Sequence, residues 1–550
     1  MAGVEKQPED WQTLPWKQFQ QNVYRLQQRI YRAERRGDRK QVHNLQRLLM
    51  RSWSARCLAV RQVAQDNRGK KTPGVDGVAS LTPKQRLQYA HQLEHLPQKA
   101  DPVRRVYIPK PNNLKEQRPL GIPTLYDRAA QALVKLALEP EWEARFEPNS
   151  YGFRPGRCAQ DAIEAIFKSI HLKPKYVLDT DIEKCFDKIN REALLEKLAA
   201  IQPISKVVRA WLKAGILDNG EILFPEAGVP QGGVISPLLA NVALHGLENY
   251  LISTCPHPRK PGMSRYADDF VILHEDYETL QKLSKQAETW LTGMGLRLKP
   301  EKTHIRHTLQ AFNGQAGFDF LGFTIRQFLV GKYRTATFRG KAGFKTLILP
   351  SQKAQKRHLE AIRETIRKHR SQAQTALITN LNPIIRGWSN YYRSCVAKKI
   401  FNRMDHQVHY QLFQWARHRH PNRTAGWRFR HYWRCIGKRI TFSNGTATLI
   451  HHAATPIQRH IKVRGDKSPF DGDWRYWVWR LVRTPGQLPQ WAKVLKRQGG
   501  KCVSCGLCFT TNDVMEFHHR DHNHNHNKLS NLALLHGHCH DQIHRDETCL

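Results

Sequence analysis

The chain has 550 residues, with 88 Lys and Arg against 47 Asp and Glu and a formal net charge of +41. A basic excess of that size repels itself unless an anion neutralises it, and a large polyanion such as RNA or DNA is the natural partner. The 40% hydrophobic and 25% charged content is ordinary globular material, so neither a disordered tail nor a single small domain accounts for the length.

In chain order, residues 16–62 predict helix, with Leu26, Ile30, Leu45, Leu48 and Leu49 at helical spacing. Between Gln21 and Gln62 stand eleven Arg or Lys and two acids, Glu34 and Asp38, a basic face suited to RNA. NRGKKTPGVDG, 67–77, reads as a mobile basic loop. RRVYIPKPNNLKEQRPLGIPT, 104–124, predicts two short strands and a basic hairpin. Lys110 and Arg118 flank that hairpin and suit a triphosphate, Arg by its fixed fork and Lys as a point charge. A helix follows over 125–145, and SYGFRPGRCAQDAIEAI gives a Gly/Pro turn before another. YVLDTDIEKCFDKI, 176–189, is a strand running into a turn, with helix over 190–215. In GVPQGGVISPLLANVALHGLENYL, 228–251, two glycines allow close backbone approach before a helix, and Gln231 can hydrogen-bond a nucleotide. A hairpin around Tyr266 to Leu273, a helix to about 293 and the strand GFDFLGFTI, 317–325, complete the region. Strands mingled with helices predict an α/β layer with one sheet face covered by helices. Residues 350–400 return to basic helical text ending in LNPIIRGWSNYYR, and 425–490 mix Trp, Arg and Gly.

SRYADDFVIL, 264–273, sets Asp268 beside Asp269 in β-prone apolar text. Asp is a common turn residue, but paired carboxylates also suit divalent cations, which relieve their repulsion. Two-metal phosphoryl transfer needs a further carboxylate from a neighbouring strand. Asp181 supplies it where YVL gives way to a turn, with the Ile182 carbonyl as a further oxygen ligand. Asp179 shares the face of Asp181 in a regular strand and is its local competitor, while Asp187 reads as structural. Phe186 suits a ring pressed on the sugar of an incoming nucleotide, or a core position.

The last 50 residues carry nine of the 28 histidines. Cys502 and Cys505 form a CxxC step and His536 and Cys539 an HxxC partner, a set that suits structural Zn²⁺, with Cys508 a rival to His536. The other cysteines are scattered, which fits a reducing interior better than a disulfide framework. His540 and His544 share a helix face and, with His518 from a strand, can hold one divalent ion, Mg²⁺ or another. His519, on the opposite strand face, suits a general base; Asn531 fixes the loop or orients His519, and Glu516 supports the site. A zinc ribbon that binds DNA without cutting is the competing reading.

YADD, LDTDIEKCFDKI, SYGFRPGRCAQDAI, PQGGVISPLLAN, GLRLKPEKTHI and FLGF occur here as a set, followed by LNPIIRGWSNYYR. Together they resemble the multifunctional reverse transcriptase/maturases encoded by group II introns, many with a C-terminal HNH, or ββα-metal, nuclease. The resemblance implies a catalytic triad of Asp181, Asp268 and Asp269 holding Mg²⁺, with Phe186 as sugar gate. It further implies Gln231 beside the nucleotide, and Lys110 and Arg118 on the triphosphate with a longer hairpin between them here.

The fold expected is a multidomain α/β chain with an α+β palm. A basic N-terminal extension occupies 1–62, fingers and palm 63–335, thumb or maturase domain 336–405, a DNA-binding region 406–495 and the zinc-supported nuclease 496–550. The resemblance implies an RNA-directed DNA polymerase that binds its intron RNA to promote splicing and nicks target DNA to prime synthesis. Intron RNA, target DNA and deoxynucleoside triphosphates are the expected partners, with no membrane and a cytoplasmic location, at the nucleoid if bacterial. The competing function is a splicing cofactor that only binds RNA.

Overall fold

The computed structural model of the chain describes residues 10–110, 113–312, 314–330, 343–437, 439–465, 467–483, 489–506, 508–509, 513–523 and 526–548. Helices Trp16–Arg35, Arg39–Arg51 and Trp53–Arg61 open it, the second started by Asp38, which accepts the Gln41 N–H at 3.0 Å. Phe19, Val23, Ile30, Leu45 and Leu49 are buried in a core shared with helix Leu125–Arg145. Arg25, Arg29, Arg32, Arg35 and Arg36 stay exposed, the division an amphipathic helix imposes. Leu48, expected on the apolar stripe, is 52% exposed on the basic face. The segment expected to be a mobile loop, 67–77, is pinned instead. Arg128 donates to the Thr72 carbonyl at 2.7 Å and Arg104 to the Pro73 carbonyl at 3.0 Å.

Strands Val103–Lys110 and Asn113–Ile122 pair antiparallel, and Ile216–Asp218 joins the first in parallel, with Glu221–Leu223 at the edge. A second four-stranded sheet runs Gly262–Tyr266, Asp269–His274, Tyr176–Asp181, His304–His307, antiparallel throughout. Leu178, Phe270 and Ile272 point into the large core with Leu280 and Leu283 of helix Tyr277–Thr292. Val177, Val271 and Leu273 point the other way, onto Ala162, Ile163 and Ile166 of helix Ala159–Ile170 and onto Phe318 and Phe323. The expectation of one covered face is therefore corrected: both faces are buried. That is why consecutive positions in YVL and FVIL are apolar.

Strands Phe318–Phe320, Phe323–Leu329 and Phe344–Pro350 form a small antiparallel sheet on that second face. Its FLGF turn has two residues, Leu321 and Gly322, at φ 49° and 81°, the left-handed pair that a tight hairpin uses. The hydroxyls of Tyr391 and Tyr392, in the NYYR end of helix Gln374–Tyr392, donate to the Leu321 and Gly322 carbonyls at 3.0 Å each. Helices Gln352–Lys368, Gln374–Tyr392 and Lys398–Arg419 then build their own core. The boundary expected at 405 falls inside the third of these. Val408, Leu412 and Trp415 pack with Ile362 and Leu377, and Tyr432, Trp433 and Phe442 join them. Several aromatics of the expected DNA-binding region are thus core, whereas Trp474 and Trp479 remain 43% and 40% exposed.

At the C-terminus, strands Met515–His519 and Leu532–His536 pair antiparallel and lead into helix Gly537–Thr548. Their core recruits Leu481, Val494 and Leu495, ahead of residue 496. No described helix is long and apolar enough to cross a membrane.

Candidate active site and metal centres

The register of the palm sheet sets Asp181 directly opposite Asp269, on the face of Val177, Val271 and Leu273. Asp268 lies in the two-residue turn between Tyr266 and Asp269. Ala267, the first residue of that turn, has φ 59°, a conformation that costs a residue with a Cβ on the order of 1 kcal/mol. Neighbouring chain holds it there. Buried Arg265 donates from one guanidinium nitrogen to the Ala267 carbonyl at 3.3 Å and to Asn241 at 3.1 Å. Asn241 donates to the Gly152 carbonyl at 2.8 Å. A Cβ on Gly152 would lie 2.3 Å from the Ala267 nitrogen, so the GFRPG turn reaches the YADD turn only because residue 152 has none.

Three carboxylates so placed repel one another. Burial, then the charges of Asp268 and Asp181, push Asp269 up to about 7, and burial raises Asp268 as well. Lys302 forms a salt bridge with Asp181, and the charges of Lys302 and Arg118 both favour ionised Asp268. A set of hard oxygen donors short of positive charge is the chemistry of a Mg²⁺ site. The Ile182 bridge to Leu298 is flanked by Glu183 N–H donating to Arg297 and Lys299 N–H to the Asp181 carbonyl, a pattern that leaves the Ile182 carbonyl outside the ladder. Asp179, the competitor, shares the face but pairs with Val271, two residue pairs further from the turn; burial lifts it to about 6.

The remaining candidates surround this point. Phe186 lies in the short helix Cys185–Lys188, entered through Lys184 at φ 44°, and its carbonyl accepts the Val229 N–H at 2.6 Å. Its ring meets Phe153 edge-on at 6.4 Å. The Gln231 side chain donates to Asp187 at 3.2 Å, which gives Asp187 the structural part expected of it, and the Gln231 carbonyl accepts the Gly121 N–H at 2.6 Å. Gly232 passes so close to Gly121 that a Cβ would sit 2.7 Å from its carbonyl oxygen. Arg118 is exposed on the strand opposite Ile108; the side chain of Lys110 lies outside the described residues.

In the C-terminal unit Cys502, Cys505, His536 and Cys539 are all buried, and their donor atoms lie within 4.8 Å of one another. Cys508 is not in this group; it sits across a backbone bridge from Lys501. Although burial opposes a charged imidazole, Asp513 and the thiols of Cys502 and Cys505 hold His536 up to about 11. Three thiols and an imidazole at this spacing fit Zn²⁺.

His518, His540 and His544 also bring one nitrogen each within 4.8 Å. Glu516 lies 2.8 Å from His540 Nδ1 and steadies that ring. His519 comes next to His518 on the strand and its Nε2 lies 3.1 Å from Asn527. Asn531 faces the loop. It donates to Asp521 at 2.6 Å and to the His526 carbonyl at 2.8 Å, while Asn527 touches His519.

Three groups escaped the sequence reading. Lys302 belongs to KPEKT, where a lysine looks like any solvated turn residue. Asp161 accepts from His460 at 2.9 Å, from the Val463 N–H at 2.7 Å and from Arg480 at 3.1 and 3.0 Å, which ties the palm to residues some 300 positions later. Cys158 completes a cluster of donor spacing with Asp161 and His460, but Arg480 already neutralises the carboxylate, so this is an ion-pair latch. In the helical domain His358 and His452 meet at 2.7 Å, with His452 Nδ1 on Asp405 at 2.7 Å.

Residues 108–325 match the model of a reverse transcriptase (RNA-dependent DNA polymerase), 11–93 the N-terminal domain of reverse transcriptase, and 355–433 the group II intron, maturase-specific domain. Protein YkfC of Escherichia coli K12 is 33% identical over 321 residues, 50% of this chain and 82% of that protein. Group II intron-encoded protein LtrA of Lactococcus lactis subsp. cremoris is 33% identical over 230 residues, 40% of this chain and 38% of LtrA. Maturase-like protein 1 of Euglena gracilis is 26% identical over 390 residues, 70% of this chain and 77% of that protein. The chain belongs to the family of reverse transcriptases that carry a group II intron maturase-specific domain.

Proposed function

We propose that the protein is an RNA-directed DNA polymerase that also binds its intron RNA to promote splicing and nicks target DNA to prime its own synthesis. The observation that carries the first part is Asp181 opposite Asp269 with Asp268 in the adjoining turn. Asp181, Asp268, Asp269 and the Ile182 carbonyl would hold Mg²⁺, which when bound activates the primer hydroxyl and steadies charge on the transferred phosphate. The chain does the rest. Arg118, with Lys110, grips the triphosphate, and Gln231 borders the nucleotide from a loop fixed to Gly121. Phe186, its backbone held by Val229, closes on the sugar edge and excludes a 2′-hydroxyl. The exposed Arg face of the N-terminal helices and the basic helical domain take the intron RNA, a reading supported by the maturase-specific match.

The nicking part rests on the ββα arrangement. His518, His540 and His544 would hold a divalent ion and His519 takes a proton from water, with Asn527 against its ring. A zinc centre at Cys502, Cys505, His536 and Cys539 keeps the unit folded, and exposed Trp474 and Trp479 are offered to target DNA.

Primer extension on a defined RNA template with a Mg²⁺ titration, run beside a nicking assay on duplex DNA, tests both parts. Asp268→Ala with Asp269→Ala abolishes extension and leaves RNA affinity unchanged; surviving extension defeats the polymerase assignment. His519→Ala stops nicking while extension persists; nicking at the normal rate defeats the base assignment.

A further inference from the structure

Phe153, in the GFRPG turn, is strained and exposed at once. Its φ is 60°, a left-handed backbone that bulky side chains rarely adopt, and it is 50% exposed. The residues on either side of it are clamped. Gly152 presses against the Ala267 backbone, and its carbonyl accepts from Asn241 at 2.8 Å. The buried guanidinium of Arg154 donates to Glu143 at 2.7 and 3.0 Å, to the Glu147 carbonyl at 2.8 Å and to the Ser150 carbonyl at 2.9 Å. Between two such anchors residue 153 has little freedom, and glycine would take its conformation with least strain. A phenylalanine there forfeits backbone energy and half of its apolar burial together. Strain of this kind concentrates at functional sites.

The neighbouring ring points to the task. Phe153 meets Phe186 edge-on, with ring centroids 6.4 Å apart and planes at 75°, a T-shaped aromatic pair. Phe186 is itself only partly buried, packed against the large core. The core and the Phe153 ring together limit where the Phe186 ring can stand. A gate that rejects one added hydroxyl must hold its ring to within about 0.5 Å.

We propose that Phe153 is a positioning residue for sugar selection. Its ring braces Phe186 at the sugar edge of the incoming nucleotide, and the pair, rather than Phe186 alone, separates deoxyribonucleotides from ribonucleotides. This deepens the polymerase reading and rests on Phe186 as its gate.

The test is single-nucleotide extension of a primer on an RNA template by the full chain, with a deoxynucleoside triphosphate and with the matching ribonucleoside triphosphate. Phe153→Gly removes the ring and the left-handed strain together, so the melting temperature should stay at the wild-type value. For the ribonucleotide kcat/KM should rise, and selectivity should fall by at least about tenfold. Phe153→Tyr keeps the ring edge and wild-type selectivity. Phe186→Val relaxes selection further, and adding Phe153→Gly to it changes little, because the brace then has no ring to hold. A purely structural role would depress both substrates in proportion. A Phe153→Gly protein with wild-type selectivity, or one that loses both substrates equally, overturns the inference, as does a double variant whose two effects multiply. Wild-type selectivity in Phe186→Val removes the gate itself and the brace with it, which separates failure of the gate from failure of Phe153 alone.

Discussion

The palm and the C-terminal unit both gather metal-ligand side chains, but they pay for that crowding in different ways. In the palm, Asp181 and Asp269 face each other because a sheet buried on both faces fixes the register, and Phe270, Val271, Ile272 and Leu273 are at most 1% exposed. The apolar core bears the repulsion, visible in the raised pKa of Asp269. In the C-terminal unit the core is smaller, a two-stranded ladder and one helix joined by Leu481, Val494 and Leu495, and three thiols and an imidazole lie within it. There a bound ion would organise the chain; in the palm the chain organises the site before any ion binds.

Metal removal breaks this comparison most sharply. Stripping zinc, or Cys502→Ser, removes folding free energy on the order of 10 kcal/mol from the C-terminal unit. Amide exchange should then become fast across Met515–His519 and Leu532–His536 and stay slow across Tyr176–Asp181. Equal protection in both with and without zinc contradicts the contrast. The next largest effect is Gly152→Ala. Its Cβ meets the Ala267 backbone, so the YADD turn must shift, at a cost of about 1–3 kcal/mol in thermal stability. Extension falls by about 100-fold, whereas nicking is unaffected.

Between these two regions the helical domain buries titratable groups with neither ion nor carboxylate pair at the centre. Burial, and then His452, lower the pKa of His358 from 6.5 to about 3. The folded state therefore excludes a proton that the unfolded chain accepts. This stability is complete above pH 6.5 and is lost as pH falls towards 3, by about 2 kcal/mol at pH 5. Denaturant melts of wild type and His358→Gln at both pH values measure it, and the variant should show the shallower decline. Smallest is Lys302→Met. Lys302 is 57% exposed, so its loss changes stability by less than about 1 kcal/mol. Because Lys302 competes with an ion for Asp181, the variant should need less Mg²⁺ for half-maximal extension.

Two acidic stretches interrupting apolar strand text made Asp181 and Asp269 candidates, whereas Asp268, in the turn, reads equally well as a turn residue and was singled out by the family resemblance. The thiolate set was legible from its CxxC and HxxC steps. Coverage of both sheet faces was not read, although FVIL carried the signal: four consecutive apolar positions leave no face for water. Lys302 and the Asp161–Arg480 latch were hidden because exposed turns and contacts 319 residues apart leave no periodic trace. Helix Lys398–Arg419 runs unbroken through the boundary expected at 405, a continuity that composition does not signal.

The central claim is that carboxylates from two neighbouring strands act together on one reacting phosphate. Primer extension by Asp181→Asn tests it most directly, because that change removes a charge opposite Asp269 while keeping shape and register. The rate should drop by at least about 1000-fold, with melting temperature and RNA affinity as in the wild type. Extension within about tenfold of wild type would mean that Asp181 is not part of the reacting centre.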